Sequence, residues 1–202
     1  MLDRSLSLIA EISGLEAWAV LFAIAYLLLA IRRNIWCWPA AFVSALLSLL
    51  LFFQALLYMQ AVLQLFYAGM AVYGWHQWRH GGRERHGLQI STWPPRRHAV
   101  VIGLILIVSA AFGMGLSRTE AALPYLDSLT TVAAMVTTYM VAKKVLENWI
   151  YWFVIDAAAA YLYAVRGLPL YAALFLFYLV LVVVGFCQWW REWRAPAAAM
   201  LH

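Results

Sequence analysis

Leu63–Trp78, LQLFYAGMAVYGWHQW, and Leu174–Trp189, LFLFYLVLVVVGFCQW, align without a gap, and eight of their 16 positions are identical. Leucine matches carry little weight in so apolar a chain. Phe66-Tyr67 over Phe177-Tyr178, and Gly74-x-x-Gln77-Trp78 over Gly185-x-x-Gln188-Trp189, carry more. The same offset of 111 residues (174 − 63) places Glu16 on Asp127, Arg32-Arg33 on Lys143-Lys144 and Trp38 on Trp149. The chain therefore reads as duplicated, and in a membrane protein duplication points to a substrate path between two halves.

Composition makes the membrane assignment. Hydrophobic residues form 66% of the chain, charged residues 11%, and mean hydropathy is +0.81. A soluble domain of 202 residues needs more polar surface than this. The net charge of +5 does not point to nucleic acid, because the basic residues flank apolar stretches as topology signals and headgroup contacts do. Met1–Gly14 carries Asp3 and Glu11 and has no compact apolar core before a small-residue cleavage site, so no signal peptide is expected. Cys37 and Cys187 have no metal-ligand spacing and read as small apolar residues without a disulfide.

Seven spans follow, at Leu15–Ile31, Ile35–Phe53, Leu57–Trp78, Ala99–Ser117, Pro124–Ala142, Trp149–Val165 and Leu168–Trp190. Helix is the default because a segment in lipid must satisfy its own backbone. Three Lys and Arg residues fall on the N-terminal side and eleven on the other, which places the N-terminus outside and the C-terminus in the cytoplasm. With helix four as an odd linker, both copies run in the same direction. The expected fold is an all-α integral membrane protein with two parallel three-helix repeats, a 3+1+3 arrangement analogous to the SWEET transporters. Its parts are an N-terminal segment 1–14, a first bundle 15–79, a cytoplasmic loop and linker helix 80–123, a second bundle 124–190 and a cytoplasmic tail 191–202. The third loop, HGGRERHGLQISTWPPRR, reads as a flexible basic connector.

Asp156 is the costliest residue, since an acid mid-helix costs ~2.5–3.5 kcal/mol on insertion. It normally faces a bundle interior or cavity. Helical spacing sets Asn148, Trp152, Asp156 and Tyr163 on one face, with Trp149 at its edge. A buried acid used for helix packing is the alternative reading. The third helix carries a stripe of Gln60, Gln64, Tyr67, Ala71, Trp75 and Trp78, whose counterparts include Phe175, Tyr178, Phe186 and Trp189. Trp78, Trp189, Trp190 and Trp193 read as interfacial anchors, and Gln64 and Tyr67 as the better binding candidates. The repeat register sets Asp156 against Ala45, or Ser44 with a one-residue slip, so the cavity is asymmetric. Aromatic faces, one acid and a few amides suit a planar cationic ring with polar groups.

Other chemistry is absent. No phosphate-binding glycine loop occurs, so ATP is not hydrolysed by this chain. His76 lies near an interface and His80, His86, His98 and His202 in loops or tail, where solvated histidines are expected rather than haem or metal ligands. Asp127 and Glu147 sit near helix ends, where charge is cheap, and both capping or interfacial pairing and a substrate role are open readings for them. Asp156 and Glu147 lie nine positions apart, ~13.5 Å along a helix, too far for paired acid–base catalysis. No catalytic residues, cofactor or metal are expected.

The sequence resembles the PnuC family of bacterial nicotinamide riboside transporters. The resemblance covers roughly Asn34–Trp78 and Asp127–Trp190 and rests on Leu57-Tyr58, Gln64 followed by Tyr73-Gly74-Trp75-x-x-Trp78, Asp127-Ser128 and Lys143-Lys144-x-x-Glu147-Asn148-Trp149-x-x-Trp152. It implies a SWEET-like fold in the bacterial inner membrane and uptake of nicotinamide riboside by facilitated diffusion. A separate cytoplasmic kinase then traps the product. It favours Gln64, Asn148, Trp152 and Asp156 as substrate contacts, beside Tyr67 and Tyr178 from the aromatic stripes. Relatives can carry Asn at the position of Asp156. The expected partners are the small-molecule substrate and the bilayer, and the aromatic lipid-facing surface permits a homo-oligomer. The rival readings are a uniporter for another vitamin or sugar, and a membrane-embedded enzyme.

Overall fold

A computed structural model describes residues 2–54, 56, 58–81, 88–118, 123–165 and 169–195. Among these, seven helices form an all-α fold: α1 (Leu2–Ile31), α2 (Cys37–Gln54), α3 (Tyr58–His80), α4 (Pro95–Leu116), α5 (Pro124–Ala142), α6 (Asn148–Val165) and α7 (Pro169–Arg194). Within α1, α2, α4 and α7 lie stretches long and apolar enough by length and composition to cross a membrane. Three helices outrun the spans read from hydropathy. α1 begins at Leu2 rather than Leu15, α4 at Pro95 rather than Ala99, and α7 continues to Arg194. Charged residues end an apolar run but not a helix. At α4, Pro95 occupies the first turn, where its fixed φ suits a helix start and its missing N–H costs nothing.

The chain divides into two compact units, Met1–Leu88 and Gln89–His202. In the first, α2 packs against both α1 and α3. In the second, α6 packs against α5 and α7, and α4 against α5. Small buried residues let the helices of the first unit approach: Ala40 and Ala45 on α2, Ala61, Ala68 and Ala71 on α3. Close van der Waals packing is what holds helices together in lipid, where apolar burial alone gives no preference.

The turn into the middle helix is built twice at the 111-residue offset. Arg33 (φ 55°) and Lys144 (φ 48°) both adopt the left-handed conformation. Around Arg33, the amide of Asn34 bonds to the Leu29 carbonyl at 2.9 Å and that of Arg33 to Ala30 at 3.0 Å. Around Lys144, Val145 bonds to Met140 at 2.9 Å and Lys144 to Val141 at 2.9 Å. These are the paired bonds of a Schellman ending, which satisfy the last carbonyls of the preceding helix. A left-handed non-glycine residue costs ~1–2 kcal/mol, and the two bonds offset it.

The repeated G-x-x-Q-W motif acquires a physical meaning in both units. Trp38 of α2 lies over Gly74 of α3, and Trp149 of α6 over Gly185 of α7. A Cβ on Gly185 would come within 2.5 Å of the Trp149 ring, so only glycine fits. The tryptophan one turn beyond each glycine closes the socket edge-on: Trp38–Trp78 at 5.4 Å and 89°, Trp149–Trp189 at 5.5 Å and 85°. Trp78 (5% exposed) and Trp189 (0%) are therefore core residues rather than the headgroup anchors expected of them. Trp190 and Trp193 remain nearer the surface, stacked at 5.5 Å with Arg194 over Trp190.

Candidate functional site

The α6–α7 pair sets out the site. Antiparallel helices keep register, so seven residues along α6 from Trp149 to Asp156 match seven residues back along α7 from Gly185 to Tyr178. Both steps are two turns, ~10.5 Å. Asp156 is buried, at 5% exposure, and its carboxylate acts electrostatically on the half-buried Tyr178 phenol. No ion pair or hydrogen bond engages that carboxyl among the described residues. Burying an acid is costly unless it is paired.

The other expected residues separate into different surroundings. Trp152, one turn before Asp156, packs against the cluster of Ile105, Ala133 and Ile155, on the α4 and α5 side of α6. Asn148 is fully enclosed at the start of α6. Its Nδ2 donates to the Val145 carbonyl at 2.6 Å, while its Oδ1 is buried without a partner among the described residues. The equivalent place in the first unit holds Cys37, also fully buried. The Tyr163 side chain lies outside the described residues.

In the first unit, Gln64 and Tyr67 are half-buried on α3, and Gln60 is exposed. Tyr67 meets Phe66 at 5.6 Å between ring centroids and acts electrostatically on Tyr26 of α1. By the same seven-residue step, Ala45 of α2 holds the position that Asp156 holds on α6. Ala45 is buried at 4%. Its neighbour Ser44 donates its hydroxyl to the Ala19 carbonyl at 2.9 Å. The two units thus share the Trp–Gly socket, and at this position the second carries an acid where the first has alanine.

A polar cluster in the second unit has no signature in the sequence. His98 reads as a solvated loop residue by its place in the chain, but it lies in the first turn of α4 and is partly buried. Its Nδ1 lies 2.9 Å from the Tyr151 hydroxyl and its Nε2 3.8 Å from Glu147 Oε1. Glu147 also accepts the Trp93 amide at 3.4 Å. Nearby, the Ser91 amide donates to the Lys144 carbonyl at 3.0 Å and the Leu146 amide to the Ser91 carbonyl at 2.8 Å. Part of the expected flexible connector is therefore fastened to the α5–α6 turn. Its partners stand about 50 residues apart in sequence, beyond any helical spacing. Among the described residues, no three His, Cys, Asp or Glu side chains converge as a metal site.

Comparison with known proteins agrees with this architecture. The family profile described as nicotinamide mononucleotide transporter matches residues 13–191. The chain belongs to that family. It is a multi-pass membrane transporter, not an enzyme, and the resemblance to PnuC proteins holds. The riboflavin/roseoflavin transporter RibM of Streptomyces davaonensis is 26% identical over 180 residues, spanning 87% of this chain and 84% of that protein. The nicotinamide riboside transporter PnuC of Escherichia coli is 25% identical over 162 residues, spanning 67% of this chain and 66% of that protein. The crystal structure of a vitamin B3 transporter PnuC superposes with a TM-score of 0.70 at 21% identity, covering 94% of this chain and 86% of that one, and so shares the fold.

Proposed function

We propose that this chain takes up nicotinamide riboside by facilitated diffusion, with alternating access, and that a cytoplasmic kinase traps the product by phosphorylation. The observation that carries the reading is Asp156, buried beside Tyr178 and without an ion pair among the described residues. The nicotinamide ring of the riboside is a fixed cation with a carboxamide. An acid in a low-dielectric setting attracts such a ring strongly, and an aromatic face adds ~0.5–2 kcal/mol. Gln64, Tyr67, Asn148 and Trp152 are the further contacts in this reading, with amides to read the carboxamide and ribose hydroxyls.

The movement follows from duplication. Residues 15–79 and 124–190 act as parallel three-helix repeats, with 80–123 as loop and linker helix, and each rocks as one body, held together internally by its Trp–Gly socket. The N-terminus faces outward and the C-terminus the cytoplasm of a bacterial inner membrane, as the basic residues direct. Asp156 is shielded by its burial, so the solute reaches it when that rocking uncovers it.

A second reading is a flavin substrate, favoured by the longer alignment with RibM. Isoalloxazine is planar but neutral, so it leaves Asp156 without a charge to meet. Uptake of radiolabelled nicotinamide riboside into proteoliposomes, competed with riboflavin, thiamine or glucose, separates the readings. Competition by riboflavin but not by unlabelled nicotinamide riboside overturns the first.

A further inference from the structure

The helix between the two repeats, α4, is gripped at three levels by the unit it belongs to. Ile105, Ser109 and Gly113 stand four residues apart on one face, and all three are buried. At the far end of that face the Tyr125 ring of α5 lies over Gly113, leaving no room for a Cβ. It is a third aromatic-over-glycine contact, built outside the repeat: the 111-residue offset takes Gly113 to Leu2 and Tyr125 to Gly14.

Eight residues back along α4 and eight onward along α5 are ~12 Å in each helix. There Ile105 shares a buried cluster with Ala133 and with Ile155 of α6. The third grip lies another seven residues, ~10.5 Å, toward the start of α4. His98 Nδ1 is 2.9 Å from the Tyr151 hydroxyl and its Nε2 3.8 Å from Glu147 Oε1. Just before the helix, Ser91 bridges Lys144 and Leu146 of the α5–α6 turn.

The three grips differ in chemistry, one steric, one apolar and one polar. They engage α5 at one end, both neighbours in the middle and α6 at the other. From His98 to Gly113 they cover ~22.5 Å of helix, most of the ~30 Å hydrocarbon core. A slide of α4 past α5 and α6 would undo all of them together. Packed elements of this kind move as bodies, and a few loop positions absorb the change. We infer that α4 is a member of the second moving body, so that alternating access sets four helices, α4 to α7, against three. The inference rests on the alternating-access reading above, whichever vitamin is carried.

A disulfide across the Tyr125–Gly113 contact tests it in the full chain. The Tyr125 Cγ lies 3.0 Å from where a Gly113 Cβ would stand. The Tyr125 Cβ is one bond of about 1.5 Å beyond, so the two Cβ atoms are at most about 4.5 Å apart, within disulfide reach. Gly113→Cys with Tyr125→Cys, in a chain whose exposed Cys187 is changed to alanine, should therefore oxidise readily. Uptake into proteoliposomes of nicotinamide riboside, or of riboflavin where wild type carries that instead, should be the same before and after reduction. Oxidised protein slower by about tenfold or more, with recovery on reduction, overturns the inference. So does failure of the pair to oxidise. Wild-type uptake identifies the vitamin separately, so a wrong substrate is not mistaken for a wrong moving body. Spin labels at the exposed positions Val100 of α4, Tyr161 of α6 and Val62 of α3 keep the test sound if the cysteine pair folds poorly. Adding the same vitamin should leave the Val100–Tyr161 separation unchanged and shift the Val100–Val62 separation. A shift as large in the first pair as in the second overturns the inference.

Discussion

Trp149 covers Gly185 so closely that no side chain fits beneath its ring, and Trp38 covers Gly74 in the same way. The contact fixes the middle helix against the third in each unit and sets the register of everything further along the pair. Gly185→Ala and Gly74→Ala are each expected to destabilise by roughly 1–3 kcal/mol through overpacking, read as a lower melting temperature in detergent. Gly69 and Gly103 have open space where a Cβ would stand, so alanine there should be neutral or stabilising by up to ~1 kcal/mol. Equal effects at all four sites would remove the socket from the account.

Asp156 gives a prediction with opposite signs. Asp156→Asn removes a buried acid that has no ion pair among the described residues, so the protein should become more stable. The same change should weaken nicotinamide riboside binding by ~2 kcal/mol, about thirtyfold. Tyr178→Phe should weaken it less, since it keeps the ring. Melting curves and binding isotherms on the same preparations check both signs.

The strap over the α5–α6 turn should be visible in amide exchange. The Ser91 and Leu146 amides are bonded across it, and Glu147 and His98 hold its flank. Glu147→Ala removes the acceptor of the Trp93 amide and the partner of His98. Exchange at Ser91 is expected to speed by at least about fivefold, the equivalent of one lost ~1 kcal/mol hydrogen bond. Protection unchanged in that variant would mean the bridge to Lys144 and Leu146 stands alone.

Much of the fold is legible in the amino-acid sequence. Hydropathy and the ~20-residue span of a bilayer give the seven helices, and the offset repeat locates the Trp–Gly sockets through Trp38, Gly74 and Trp78. Asp156 announces itself by its cost in lipid. What sequence spacing misses depends on long-range packing. Nothing local shows that Trp78 and Trp189 turn inward, because an interfacial tryptophan and a socket tryptophan occupy the same helix end. His98 and Glu147 meet only when α4 lies beside α6. Periodicity sets Asn148 on the Asp156 face, but it does not show that the side-chain amide donates to the Val145 carbonyl in the turn before α6.

Orientation is open to a direct check. The basic residues direct the C-terminus inward, so alkaline phosphatase fused there should be inactive and a fluorescent protein bright. The reverse pair of outcomes would overturn that orientation.

The central claim is that an acid on α6 reads a cationic vitamin. Isothermal titration of the purified wild type with nicotinamide riboside and with riboflavin, repeated on Asp156→Ala, tests it most directly. Saturable heat with nicotinamide riboside, little with riboflavin, and a loss of about tenfold or more in the variant is the predicted result. Saturable binding of riboflavin alone, or an affinity for nicotinamide riboside indifferent to Asp156, would contradict it.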